Sequence, residues 1–411
     1  MKCRFCHEAL IEEFIDLVHA PLSNAYLNAT QLNEPEIFYP LRLWVCGTCM
    51  LVQVDEYKKS QEIFNRDYAY FSSFSKSWLR HSELYTHMMI QRFGLSGSSL
   101  VCEIASNDGY LLQYFKKNHV PCFGIEPTAN TAAAARKKGI EVIEEYFGTG
   151  LAEKLLKEGR KKPDVILGNN VLAHVPDLND FVRGLKNFLS DRGIITMEFP
   201  HLMELIEKNQ FDTIYHEHFS YFSFLTVQQV FASHGLTVFD VERLATHGGS
   251  LRIFAGHDSD CGTIHQIHSR VRELLDEEKR KGMDEIGYYK NFQQQADVVK
   301  YNLLAFLLEQ ARGGKKIAAY GAAAKGNTLL NYCGVKTDFI AFAVDASPHK
   351  QGKYMPGSHI LITDETRIKK EKPDFILILP WNIREEITSQ LSYIRQWGGK
   401  FIVPIPQLEI F

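Results

Sequence analysis

The sequence predicts an α/β protein in three parts: a small metal-closed N-terminal module, then two doubly wound domains with mostly parallel sheets. Three observations predict this. The chain has 411 residues, more than one ordinary domain holds. Four of its eight cysteines form two CxxC pairs, Cys3/Cys6 and Cys46/Cys49. Two strand–turn–helix units open at Ser99 and Lys316, each followed by apolar runs that alternate with helical stretches. The composition, 45% hydrophobic and 23% charged, argues against a disordered or coiled-coil protein. Forty-six basic residues against 49 acidic ones, a net charge of −3, lack the basic excess of a nucleic-acid binder. No apolar run reaches the roughly 18 residues that span a bilayer, and Met1–Cys6 has no apolar signal core. A cytoplasmic protein with reduced thiols is expected, with no membrane and no nucleic-acid polymer as partner.

Taken in order, the cysteines come first. A CxxC knuckle lets two thiolates reach one tetrahedral ion, with Zn–S near about 2.3 Å. Two knuckles close a four-thiolate site with no open position, hence a structural zinc on Cys3, Cys6, Cys46 and Cys49. The gap between the pairs is longer than the common ribbon spacing. Redox pairs are the alternative, but neither stands beside a thioredoxin-like pattern. The insert between the knuckles, with Pro21, Pro35, Pro40, Tyr26 and Phe38, reads as loop-rich. It is too small to hold a core alone, the situation in which a metal supplies folding energy. Cys102, Cys122, Cys261 and Cys333 stand among apolar neighbours and read as buried small hydrophobes.

Residues 60–93 read as helix and loop with the aromatic stretch Asp67–Phe74. The run Ser99–Ile104 ends at Glu103 and leads through Ala105-Ser106-Asn107-Asp108-Gly109 into a helix. Gly109 suits close backbone approach by a ligand. The next run, Cys122–Ile125, ends in Glu126, the position at which an acid binds two ribose hydroxyls. Further runs end in Asn169-Asn170 and at Glu198. A dinucleotide fold would carry GxGxxG in the first turn, whereas this turn has one glycine and Asp108, which would repel a pyrophosphate. An acidic turn suits a ligand with a cationic amine and sulfonium, S-adenosylmethionine, and so a class I methyltransferase domain.

The run Tyr215-His216-Glu217-His218-Phe219-Ser220-Tyr221 concentrates imidazole, phenol and carboxylate. His216 and His218 are two apart, so they share a face only on a strand, and no third ligand at metal spacing is evident. A satisfied structural cluster is one reading and acid–base chemistry the other, since imidazole titrates near neutrality. His174 follows the third strand and should face the same cleft. His247-Gly248-Gly249-Ser250 reads as a tight turn that permits close approach. Residues 265–312 read as mainly helical, with Glu273–Lys281 as a solvated face. The second unit, Lys316–Leu330, has a glycine-bearing turn opening a helix, which suits a phosphate. Lys325 would add charge and Thr328 a hydroxyl, without the lysine spacing of an ATPase loop. Strands at Phe339–Val344, ending in Asp345, and at Asp374–Leu379, ending in Pro380-Trp381-Asn382, complete a second Rossmann-like domain.

In this order, the motifs resemble the three-domain sugar C-methyltransferases that act on nucleotide-linked 4-keto-deoxysugars, and the resemblance spans essentially the whole chain. It implies a zinc-binding domain over 1–60, an S-adenosylmethionine domain over 61–255 and a sugar-nucleotide-binding Rossmann-like domain over 256–411. By that resemblance His218 is the general base, with Tyr215, Glu217 and His174 around the sugar. The cofactor would meet Glu103, Ala105, Asn107, Asp108, Gly109, Glu126 and Asn169. The substrate would meet Tyr70, Asn170, His216, Gly321, Lys325, Asn327 and Thr328. The expected reaction is methylation at C3, or else C5, of a 4-keto-6-deoxysugar through an enolate, with Tyr215 and His174 donating to the oxyanion. A monomer is expected. The rival readings are an O-methyltransferase on a sugar or small metabolite, and a non-catalytic nucleotide-binding zinc protein.

Overall fold

Strands β1 (Glu12–Ala20), β2 (Tyr39–Val45) and β3 (Val52–Val54) pair antiparallel at the N-terminus. This computed structural model describes residues 1–58 and 71–411, so the expectation for Tyr70 lies outside the described residues. The insert between the knuckles is loop over 21–38, where Pro21, Tyr26, Pro35 and Phe38 stand, as expected, but the strands β1 and β2 that flank this loop are not legible in the sequence. The reason lies far along the chain: Phe14, Leu17, Leu41 and Leu43 are buried in one cluster with Phe292, Val299 and Leu303 of the helix Phe292–Arg312. Phe14 stacks on Phe292 with ring centroids 4.8 Å apart. A core lent by a distant helix leaves no local apolar pattern.

The middle domain holds β4 (Val101–Ile104), β5 (Cys122–Ile125), β6 (Glu141–Ile143), β7 (Val165–Asn169), β8 (Ile194–Pro200), β9 (Ser220–Tyr221), β10 (Leu236–Leu244) and β11 (Ser250–His257). Its seven-stranded sheet runs β10-β11-β8-β7-β4-β5-β6. The strands β4 to β8 are parallel, and β11 runs antiparallel to both β8 and β10. This is the doubly wound class I arrangement expected. Every residue of β4 and β7 is buried, as strands covered on both faces require. The helix Leu178–Phe188 shows why the flanking layers form: Asp177 caps it by accepting from Asp180 N, and Leu178, Phe181, Val182, Leu185 and Phe188 make one buried stripe. Strand β9 leaves this sheet and pairs with β3, completing the N-terminal sheet. The run 215–221 is thereby fixed at the seam between the two.

The C-terminal domain contains β12 (Ile317–Tyr320), β13 (Ala343–Val344), β14 (Ile362–Thr363), β15 (Phe375–Ile378), β16 (Lys400–Val403) and β17 (Glu409–Ile410). Its order, β14-β13-β12-β15-β16-β17, parallel except for β17, is that of a Rossmann-like sheet. The expected strand at 339–344 shrinks to two paired residues, although Ile340 and Phe342 stay buried. The span 265–312 contains the helices Ser269–Arg280 and Phe292–Arg312. Two residues of Glu273–Lys281 depart from the solvated face: Leu274 is buried, and Glu278 is fully buried, accepting from Phe224 N, Leu225 N and His201 Nε2, and so satisfies the start of the helix Phe224–Ala232. Cys102 and Cys333 are buried as expected, and Cys122 and Cys261 are half-buried.

Candidate active site and metal centre

The two CxxC segments fold into matching knuckles. Cys3 N donates to Glu8 O and His7 N to Cys3 O; Cys46 N donates to Leu51 O and Met50 N to Cys46 O. His7 and Met50 each turn the chain with a left-handed φ, 65° and 59°. All four sulfurs lie within 4.8 Å of one another, with Cys3–Cys49 at 3.6 Å and Cys6–Cys46 at 3.4 Å. A tetrahedral zinc with Zn–S near 2.3 Å separates its sulfurs by about 3.8 Å, so the donor set fits zinc in number, softness and spacing. Gln53 Nε2 donates to Cys3 Sγ at 3.3 Å, the outer hydrogen bond that steadies a ligand. The ion's role is structural, because four thiolates leave no open position.

The first turn of the middle domain is a cradle of acids. Ala105, Asn107 and Gly109 all take positive φ, 55°, 48° and 73°. Gly109 is tightly packed as well as left-handed: a Cβ there would lie 2.4 Å from Ile140 Cδ1 and 3.2 Å from Ala135 Cβ. Glu126, buried at the end of β5, accepts from Asn107 N through Oε2 and from Thr128 N through Oε1, both at 2.9 Å, and from the Thr128 hydroxyl. Neither Glu103 oxygen has a well-formed hydrogen bond. Burial holds its carboxyl well above the usual range against the pull of the Tyr110 hydroxyl, and Asp108 and Glu126 add like charge. Asp108 Oδ2 has Lys138 at 3.4 Å while its Oδ1 is buried and unpartnered. Ser106 Oγ and Asn169 Nδ2 are also buried without partners. Unsatisfied acceptors around an acidic turn call for a ligand with cationic and donor groups. S-adenosylmethionine, with ammonium, sulfonium and ribose hydroxyls, fits that demand.

Beside this cradle the catalytic candidates converge. His218 donates from Nδ1 to Thr213 O at 3.1 Å, which leaves the lone pair on Nε2. Its ring lies 4.1 Å from that of Tyr215, 4.7 Å from His174 and 5.9 Å from Tyr221, centroid to centroid. His174 donates from Nδ1 to Glu217 O at 2.7 Å. This corrects the expectation that His174 donates to an oxyanion. Its single N–H is taken by a backbone carbonyl, and burial pulls its pKa down to about 4, so the ring is a neutral acceptor at Nε2. The Glu217 carboxylate accepts from Asn24 Nδ2 of the N-terminal insert at 2.7 Å. His216 turns away from the group, placing Nε2 3.1 Å from Pro40 O with its ring edge-on to Tyr39.

From the C-terminal domain, Lys325 projects toward the same cleft. Its Nζ donates to Asn382 Oδ1 at 2.7 Å and sits 4.6 Å from the centre of the Trp381 ring. Burial lowers its pKa, with Asp212 acting against this, and its charge reaches His218 and His247. Asn327 and Thr328, expected as substrate donors, are corrected: Asn327 Nδ2 donates to Ser23 O at 2.5 Å and Thr328 Oγ1 to Ile214 O at 2.7 Å. Both are buried ties between domains. Gly321, φ 90°, allows contact with Pro380, whose Cδ would lie 2.4 Å from a Cβ. Asn170, at φ 56°, lies with Nδ2 3.0 Å from Nε2 of His247, at φ 54°. Both are non-glycine residues in the left-handed region, and their side chains face each other.

Several of these groups were missed in the sequence. His247 belongs to a motif noticed only as a turn, and Trp381 and Asn382 were noticed only as a strand end. The Gly248 turn packs so closely on Trp381 that a Cβ would meet its ring at 2.4 Å. Asp345, at the end of β13, repeats the Glu126 position: it accepts from Ala322 N at 2.8 Å and pairs with Lys350 at 3.5 Å, while Tyr26 and Lys350 donate to Ala322 O. The acid at the strand end was the available signal. Behind His247, Glu198 is buried yet lies below its usual pKa because His81 and Arg252 hold it. It also accepts from Thr246 Oγ1 at 2.9 Å, anchoring the turn. The surface hollows lined by Met1, Arg4 and Tyr57, and by Lys186, Gly235 and Asp258, share no residue with the cleft.

Burial lowers the pKa of His174 and His247 to about 4 and that of His218 well below 6.5. These three imidazoles are therefore neutral at pH 7. As pH falls from about 6.5 toward 4, the unfolded chain takes up protons that the folded one refuses, so stability declines. A melting series between pH 7 and 4.5 should show Tm falling with acid, and falling less in His174→Asn. An equal fall in the two proteins would remove His174 from this account.

Comparison with known proteins agrees with the architecture. The family model described as "Putative zinc binding domain" matches residues 3–64, "Methyltransferase domain" matches 82–241, and "C-methyltransferase C-terminal domain" matches 245–406. The C-methyltransferase NovU of Streptomyces niveus is 33% identical over 413 aligned positions, covering 100% of this chain and 96% of that protein. Among solved structures, the magnesium protoporphyrin IX methyltransferase of Synechocystis PCC 6803 with bound SAM aligns at TM-score 0.34 and 13% identity, over 43% of this chain and 78% of its own. A possible histamine N-methyltransferase from Thermotoga maritima aligns at 0.31 and 16%, over 43% and 97%.

Proposed function

The chain belongs to the C-methyltransferase family, and from that premise we propose that it methylates C3, in preference to C5, of a nucleotide-linked 4-keto-6-deoxysugar through an enolate, as a cytoplasmic enzyme of deoxysugar biosynthesis. The observation that carries this reading is the buried, neutral His218, its Nδ1–H committed to Thr213 O. An imidazole of that tautomer offers Nε2 to a carbon acid. The ketone at C4 makes the neighbouring C–H acidic, and His218 takes that proton. The Tyr215 phenol donates to the developing oxyanion, and the Lys325 ammonium supplies positive field in a cleft otherwise lined by neutral imidazoles. His174 and Asn170 offer acceptors to sugar hydroxyls.

Glu103, Asp108 and Glu126 hold the cofactor's ammonium and ribose, and Asn169 donates to it. S-adenosylmethionine, when bound, supplies an electrophilic methyl group. The domains are drawn at 1–60, 61–255 and 256–411, with the sugar nucleotide between the last two. Glu126→Ala should weaken S-adenosylmethionine binding by roughly 1.5–3 kcal/mol, the range for hydrogen bonds to charged groups; unchanged affinity by calorimetry would take Glu126 out of the site. The substrate is tested by mass spectrometry of enzyme and S-adenosylmethionine with a panel of 4-keto-6-deoxysugar nucleotides. A new carbon-bound methyl is expected. Methylation of a hydroxyl on a sugar with no ketone would replace this reading with O-methylation.

A further inference from the structure

The carbonyl that orients His218 belongs to a short, weakly self-supported segment. Phe211–Thr213 is a single 3-10 turn, held internally by Thr213 N to Gln210 O, Ile214 N to Phe211 O and Thr213 Oγ1 to Gln210 O. A turn of that length has little stability of its own. Two side chains of the C-terminal domain grip it on either side of Thr213. Trp381 Nε1 donates to Asp212 Oδ2 at 2.7 Å, and Thr328 Oγ1 donates to Ile214 O at 2.7 Å. Asp212 and Thr328 are almost entirely buried, so neither bond is exchanged readily for water. The segment's ends are therefore pinned by another domain, and the Thr213 carbonyl sits between the pins.

We infer that Trp381 and Thr328 are positioning residues for His218, acting through the segment Asp212–Ile214. The C-terminal domain then serves the proton-transfer step as well as substrate binding. This rests on His218 being the base, so the experiment has one readout that needs no sugar. Misplacement of a reacting group by about 1 Å can cost 100-fold.

Trp381→Phe removes the indole N–H and keeps an aromatic ring; Thr328→Val removes the hydroxyl and keeps the shape. Glu36→Gln is the control, altering a different interdomain tie, that of Glu36 to Gly357 N and His359. In histidine-labelled full-length protein, the His218 ring nitrogens (assigned by their loss in His218→Gln) should show the Nδ1–H tautomer in wild type and Glu36→Gln. They should show a mixture of tautomers in the two test variants. With a 4-keto sugar nucleotide, both test variants should exchange the ketone-adjacent proton ten- to 100-fold more slowly. KM and S-adenosylmethionine affinity should stay unchanged, and Thr328→Ser should regain most of the rate. An unaltered His218 signal in folded Trp381→Phe and Thr328→Val would overturn the inference, as would an equal change in Glu36→Gln. Absence of exchange in wild type, with the ring signals behaving as described, would count against the enolate reading alone and leave the positioning intact.

Discussion

Replacing His218 with alanine is expected to lower turnover by about 10²–10⁴-fold, the span of general-base catalysis. S-adenosylmethionine and the sugar nucleotide should bind as before. The loss is large because His218 takes the proton in the proposed reaction. His216 faces Pro40 O, while His174, whose Nδ1–H is likewise on a carbonyl and whose ring lies 4.7 Å from that of His218, is the next group in line as a base. Steady-state kinetics with calorimetric binding of each ligand reads the result. The low pKa of His218 adds a sign: the base stays neutral below pH 6.5, so the acid limb of kcat/KM should lie under the ordinary imidazole value of about 6.5. A mutant that methylates at the wild-type rate would put the base elsewhere.

Removing the metal should have the largest effect on stability. Zinc contributes about 10–16 kcal/mol of apparent folding free energy in small peptides with such ligands, more than the whole net stability of many domains. Stripping it with a strong chelator, or Cys46→Ser, should release the N-terminal module. The consequence should reach the candidate active site, because β3 of that module pairs with β9, the end of the run 215–221, through Val52–Tyr221 and Gln53–Ser220. Val54 N also donates to Phe219 O. Hydrogen exchange by mass spectrometry should show protection lost over 39–54 and 215–221 together on chelation. Elemental analysis finding no stoichiometric zinc in fresh protein, or loss confined to the knuckles, would contradict this.

What was legible in the sequence was local. The knuckles announce themselves by spacing, the parallel strands by unbroken apolar runs, and the acids Glu103 and Glu126 by standing at strand ends. Family resemblance placed His218, Tyr215 and His174 together, and the structure brings their rings within 4.7 Å of His218. What was not legible depends on contacts between distant segments. The sheet in the zinc insert needs a helix from the C-terminal domain. The substrate donors expected in Asn327 and Thr328 are taken by Ser23 O and Ile214 O, carbonyls whose proximity no spacing rule encodes. The role of His174 changed for the same reason: which ring nitrogen keeps its proton depends on the one carbonyl that faces it. Trp381 gave no signal, because a lone tryptophan after a strand reads as core until its N–H is seen to meet Asp212.

The central claim is that His218 makes an enolate of a 4-keto sugar nucleotide. It is tested most directly by following deuterium uptake at the carbon beside the ketone in heavy water, with S-adenosylhomocysteine filling the cofactor site so that no methyl transfer competes. Wild-type enzyme should wash deuterium into that carbon and His218→Ala should not, at equal occupancy of both ligands. Equal uptake in the mutant, or none in a wild-type enzyme that still methylates the sugar, would contradict the account.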